Sequence, residues 1–174
     1  MKLKSLEEVF MLELRDVYDA EKQITKALPK MIKSASSAEL QAAFREHLDQ
    51  TNEQIERLER IFNSLGESPT RKKCAGMQGL IKEASEILGK EGDTTATDAA
   101  MICGAQKVEH YEMAVYGCLR TWAQILGNDE AARLLQQTLD EEGETDKKLT
   151  EIAENLNLVA AHEEGGSEGS SARM

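Results

Sequence analysis

The sequence is short of proline, with Pro29 and Pro69 alone in 174 residues, and short of aromatic residues, with three phenylalanines, three tyrosines and one tryptophan. Strands draw on aromatic and β-branched residues, so their scarcity, together with abundant Ala, Leu, Glu, Lys and Gln, points away from sheet and toward helix. Paired cysteines are also missing. Cys74, Cys103 and Cys118 are an odd number without a CxxC spacing, which argues against a disulfide framework or a zinc site and predicts reduced thiols buried as small apolar side chains. Positive charge is scarce too. A formal net charge of -11 disfavours nucleic acid and anionic membranes, whose binding rests on Lys and Arg neutralising phosphates. No apolar run approaches the roughly 18 residues that a membrane span needs. The opening MKLKSLEEVF enters an amphipathic helix without the apolar core of a signal peptide, so a cytoplasmic protein is expected.

What is present is four long stretches with apolar residues at helical spacing. The first opens at Ser5, a helix cap, and runs to about Lys33 with Phe10, Leu14, Val17, Ile24, Leu28 and Met31 on one face. Glu21 fills the one polar slot in that seam, although a neighbouring register turns Glu13 inward instead. Pro29 removes a backbone donor late in this helix and is expected to kink or loosen it. After a polar turn at Ser34 to Ser37, the second stretch runs from Ala38 to Leu65. Its seam carries three consecutive polar residues, His47, Thr51 and Gln54, with Thr51 and Gln54 suited to orienting an imidazole or a carboxylate.

A connection from Gly66 to Thr97 holds a short amphipathic helix, Met77 to Leu88, and a Gly/Asp/Thr cluster from Gly89 to Thr97. At about thirty residues it is long enough to travel the length of a bundle, so the third long helix starts at the same end as the second. That helix, Asp98 to Leu126, places Glu109 and Glu112 three apart on its inner face and Tyr116 one turn further on. The fourth, capped by Asp129 and reaching about Asn157, places Glu142 and Asp146 four apart. Flanking Glu141 and Glu144 are expected on a solvated face balanced by Lys147 and Lys148. Residues 1–157 thus form one helical bundle, and residues 158–174, with EEGGSEGSS, form a flexible acidic tail.

Hairpin geometry connects the interruptions. With the turns centred near Ala35 and Asn128, Glu21 and His47 come to one height, Glu112 stands opposite Glu144, and all the inward polar positions fall near mid-bundle. Buried carboxylates converging from several helices need a cation, protons or a hydrogen-bond network. A metal is the favoured reading.

The segments DVYDAEKQITKALPKM, HLDQTNEQIERLE, KCAGMQGLIKEA, AQKVEHYEMAVYG and TLDEEGETDKKLT resemble the bacterial YciF/YciE family of ferritin-like proteins, over about Ser5 to Ala153. The resemblance implies an all-α ferritin-like four-helix bundle whose long crossover carries the extra helix, a homodimer and a link to stress responses. It also implies Glu21 over Glu13 as the inward acid. His47, Glu109, Glu112, Glu142 and Asp146 fall in the signature stretches, and with Glu21 they form the expected metal set, for iron or manganese as one ion or two. One departure stands out: the Glu-x-x-His pair of better-studied di-iron relatives is absent from this sequence. Three functions follow: redox chemistry on dioxygen or peroxide, with Tyr116 or Tyr18 supplying a hydrogen bond or an electron; a non-enzymatic dimeric interaction module; or iron storage in a cage.

Overall fold

The computed structural model describes residues 3–88 and 94–163. Five helices follow one another: α1 (Leu6–Ser34), α2 (Ala38–Ser64), α3 (Ala75–Ser85), α4 (Thr94–Ile125) and α5 (Asp129–Glu163), with no strand among the described residues. The four long helices pack as a bundle in which α1 and α2, and α4 and α5, are hairpin partners, while α3 lies against α4 and α1. This is the fold expected from the sequence.

The helix ends follow local chemistry. The Ser5 hydroxyl accepts from the Glu8 amide at 3.3 Å and starts α1. Ser37 caps α2 in the same way through the Leu40 amide. Cys74 begins α3 with its Sγ accepting from the Met77 amide. The cap of α5 is Asn128, whose side-chain oxygen accepts from the Ala131 amide at 3.0 Å, and not Asp129, which is the first helical residue. Gly66 and Gly127 close α2 and α4 at φ 70° and 74°, a left-handed conformation that favours glycine.

Pro29 does not end α1, which continues to Ser34. Two helices are longer than expected: α4 starts four residues before Asp98, and α5 runs beyond Asn157 to Glu163, into the segment assigned to the tail. Residues 89–93 of the Gly/Asp/Thr cluster and residues 164–174 of the tail lie outside the described residues.

The crossover is visible in a buried latch. Asp98, fully buried near the start of α4, accepts from the amides of Ser36 and Ser37 and from the Ser36 hydroxyl at 2.7–3.2 Å. The start of α4 therefore sits at the α1–α2 turn, the end from which α2 also departs, so these two helices run parallel. The connecting chain runs back along α1, the Lys72 amide meeting the Arg15 carbonyl and the Cys74 amide meeting Asp19. Cys74 is buried as expected, but Cys103 and Cys118 are exposed, because their positions on α4 face away from the seam.

Apolar packing forms two clusters. One gathers Phe10, Leu14, Val17, Ile55, Leu58, Tyr116 and Leu135. The other, at the α1–α2 turn, gathers Ile24, Leu28, Phe44, Met101, Ile102 and Leu149. On α2, α4 and α5 the polar seam residues fall between these clusters in sequence, His47 to Gln54 between Phe44 and Ile55, Glu109 and Glu112 between Ile102 and Tyr116, and Glu142 between Leu135 and Leu149, while on α1 Glu21 follows Ala20, where one cluster gives way to the other. A polar layer therefore divides the core at mid-height.

Candidate metal centre

Each long helix delivers at least one group to that layer. Glu21, Glu112 and Glu142 are 0% exposed, Glu109 is 1% and His47 is 4%, so none has solvent to screen its charge. The side chains of His47, Glu109, Glu112 and Glu142 converge, each offering a nitrogen or oxygen that lies within 4.8 Å of the others. His47 Nε2 stands 3.4 Å from Glu109 Oε1.

Hydrogen bonding leaves the group incomplete. His47 Nδ1, Glu21 Oε2, Glu109 Oε2, both oxygens of Glu112 and both of Glu142 are buried without a hydrogen-bond partner. An orphaned buried polar atom costs about 1–3 kcal/mol, more where charged, so a cluster of them is stable only if protons or a cation join it. Burial pushes the Glu21 carboxyl up to about 8, the Glu142 charge adding to the effect and the Tyr116 hydroxyl opposing it. Burial lifts Glu142 to about 7, with a Glu109 carboxyl contact pulling the other way. Burial and the neighbouring acids also raise Glu109 and Glu112 well above the ordinary range. The His47 imidazole, desolvated, is pushed down to about 4 and is neutral at physiological pH, the form that ligates metals.

Glu21 and Asp146 have different surroundings. Glu21 faces the carboxyls of Glu112 and Glu142 and accepts a hydrogen bond from the buried Tyr116 hydroxyl. The inward register of α1 is therefore the one through Glu21, and Glu13 is half-buried. Asp146 lies outside the converging four: it accepts from Gln106 at 3.2 Å and pairs with exposed His110 at 3.3 Å. The contact between 110 and 146 matches a hairpin centred on Asn128. Depth, however, is not set by register.

Three polar neighbours depart from expectation. The Thr51 hydroxyl donates to the His47 carbonyl of its own helix at 2.7 Å, satisfying the backbone and leaving the imidazole untouched. Tyr18 donates to Glu59 at 2.6 Å and is remote from the acids in its bonding. Glu141 is not on a solvated face. Half-buried, it takes two hydrogen bonds from Arg57, at 2.6 and 2.7 Å, and a weaker one from Gln54 at 3.3 Å. Arg57, 5% exposed and bonded also to Thr138, is a cation beside the acid layer, and its charge lowers the pKa of Glu21 and Glu142. The sequence held a signal for it, since Arg57 stands three residues after Gln54 on the same helical face. Glu144 does sit on the surface, paired with Lys147.

A family model for a domain of unknown function, DUF892, matches residues 5–161. The chain belongs to this family. This DUF892 chain is 46% identical to Protein YciF of Escherichia coli K12 over 162 residues, 92% of this chain and 98% of YciF. The crystal structure of that E. coli stress protein superposes with a TM-score of 0.86 at 46% identity, covering 88% of this chain and 98% of the other. YcfI from Rhodopseudomonas palustris superposes with a TM-score of 0.83, again at 46% identity, over 86% of this chain and 95% of that one. A Xanthomonas campestris protein shares the fold at 20% identity, with a TM-score of 0.73 over 92% and 99% of the two chains. No helix among the described residues of this DUF892 chain is long and apolar enough to cross a membrane.

Proposed function

We propose that this DUF892 protein is a ferritin-like metal-binding protein whose mid-bundle layer holds iron or manganese. The carrying observation is the convergence of His47, Glu109, Glu112 and Glu142 with orphaned, buried donor atoms. Carboxylate oxygens with one imidazole suit hard to borderline divalent ions and not soft ones. His47, Glu109, Glu112 and Glu142 would be direct ligands, and Glu21, adjoining Glu112 and Glu142, would complete the set for a second ion. Four carboxylates balance the charge of two divalent ions. Asp146 would act at the edge of the site through His110 and Gln106.

Bound iron or manganese would supply one-electron chemistry toward dioxygen or peroxide. The chain's own contribution is to exclude water, to hold the imidazole neutral, and to keep a proton on Tyr116 directed at Glu21. Stress protection is the context suggested by the E. coli relative, and we further propose a homodimer in the cytoplasm, on the resemblance of the sequence alone.

The test is elemental analysis of protein purified without chelators, for the parent chain and for Glu112→Ala and Glu142→Ala. Near one or two equivalents of transition metal in the parent, and a loss of most of it in the variants, is expected. Less than about a tenth of an equivalent in the parent would overturn the reading in favour of a protonated, hydrogen-bonded module without metal. Peroxide consumption by the iron-loaded parent separates a redox enzyme from a passive binder, and light scattering separates a dimer from a storage cage.

A further inference from the structure

A cavity of about 260 Å³ lies between the helices on the α3 side of the bundle, and it touches the acid layer. Its middle is lined by apolar side chains, among them Leu28, Phe44, Ile81, Val108 and Leu149. Its inner polar lining is His47 and Glu109, both buried. Its outer lining includes Lys26 and Lys30, exposed and one turn apart on α1, so their ammonium groups share one face, together with the surface ion pair of Lys148 and Glu46. The cavity thus has a cationic rim, an apolar body and an inner end of imidazole and carboxylate.

We infer that this cavity binds a medium-chain alkyl carboxylate, with its carboxylate at Lys26 and Lys30 and its hydrocarbon tail directed toward His47 and Glu109. Apolar walls favour hydrocarbon over water, which needs polar partners to stay in a cavity. An apolar cavity of about 150 Å³ takes up a six-carbon ring, so by proportion 260 Å³ accommodates a chain of roughly ten carbons. Charge fixes the direction. An anionic head at the inner end would meet Glu109, with Glu112 and Glu142 behind it, whereas the rim offers Lys26 and Lys30, unopposed among the described residues, beside the self-neutralising Lys148–Glu46 pair, in a chain whose net charge is -11. The assignment deepens the metal reading by naming the ligand class presented to that site, and it rests on that reading for the ligand's significance while the binding itself needs only the cavity.

The test is calorimetric titration of the full chain with hexanoate, octanoate and decanoate, once after EDTA treatment and once loaded with manganese. One equivalent is expected to bind in both states, tightening about fourfold for each methylene, as burial of alkyl surface requires. The double variant Lys26→Glu/Lys30→Glu, altered only at exposed positions, should weaken decanoate at least tenfold. Ala27→Leu, which extends a side chain into the cavity, should weaken decanoate more than hexanoate. No binding at millimolar decanoate in either state, affinity independent of chain length, or equal affinity in the charge-reversed variant would each overturn the assignment. Manganese content of the same samples separates the two ideas: metal held without decanoate binding refutes the alkyl site alone, and decanoate bound by a chain that takes no metal refutes the metal centre alone.

Discussion

Replacing Glu142 by glutamine should make the metal-free protein more stable at pH 8. Glu142 is 0% exposed, and its folded-state pKa of about 7 stands above the ordinary 4.5. A raised carboxyl pKa favours folding where the group is protonated in both states, below pH 4.5, and that stability is lost as pH rises through 7. The span of two and a half units corresponds to about 3 kcal/mol at 1.36 kcal/mol per unit. Removing the charge also relieves Glu21, Glu109 and Glu112, each of which Glu142 pushes upward. In a chain of this size 1 kcal/mol moves Tm by about 2–4 °C, so Glu142→Gln should melt about 6–12 °C above the parent in EDTA at pH 8, with little difference at pH 4. His47, whose pKa is lowered to about 4, contributes in the opposite sense, its share being lost as pH falls from 6.5 through 4. At pH 8 the imidazole is neutral in both proteins, so the comparison there reads the carboxyl alone. Manganese should then raise the Tm of the parent and hardly that of the variant, because a ligand that binds only the folded state stabilises it by mass action. Thermal melts by circular dichroism at the two pH values, with EDTA and with manganese, measure all of this. A variant no more stable than the parent at pH 8, or equally stabilised at pH 4 and pH 8, would refute the electrostatic argument.

Two further substitutions probe the supports of the site. Arg57→Met removes both hydrogen bonds to Glu141 and a positive charge beside the acid layer, and should destabilise the metal-free protein by roughly 2–4 kcal/mol at pH 8 and by less at pH 5, as read by urea midpoints. Asp98→Ala breaks the latch between α4 and the α1–α2 turn and strands two backbone donors, for a loss of about 3 kcal/mol in urea unfolding; a loss below about 1 kcal/mol would show that water replaces the carboxylate at that turn.

Most of this architecture was legible because it rests on helical periodicity. The seam through Phe10, Leu14, Val17, Ile24 and Leu28 gives the buried face of α1, and the polar residue interrupting it, Glu21, is completely buried. The long crossover was legible from length alone, and Asp98 at the α1–α2 turn shows where it ends. What periodicity lacks is depth. Glu142 and Asp146 share a face of α5 at a spacing of four, yet one enters the acid layer while the other meets exposed His110, because α4 and α5 diverge in the partners they offer along their length. Nor does periodicity give pairing across helices. Glu141 reads as solvated from its own helix, and only Arg57 arriving from α2 converts it into a buried ion-pair partner.

That ion pair bears on why the acids are tolerated at all. Among the described residues Arg57 is the one buried cation, and Glu141 takes up its charge with two hydrogen bonds, so little net positive charge is left to neutralise four buried glutamates. A core selected for stability alone would place Leu or Gln at these positions, as the raised pKa values of Glu21 and Glu142 make plain. Glutamate at these positions is intelligible if the missing positive charge comes from outside the chain. The two apolar clusters on either side of the layer hold the helices together independently of it, so binding of an ion in the layer would be separable from folding. Parent protein stripped of metal should therefore remain helical at neutral pH and regain manganese without unfolding, an outcome that far-ultraviolet circular dichroism followed during stripping and reloading would record.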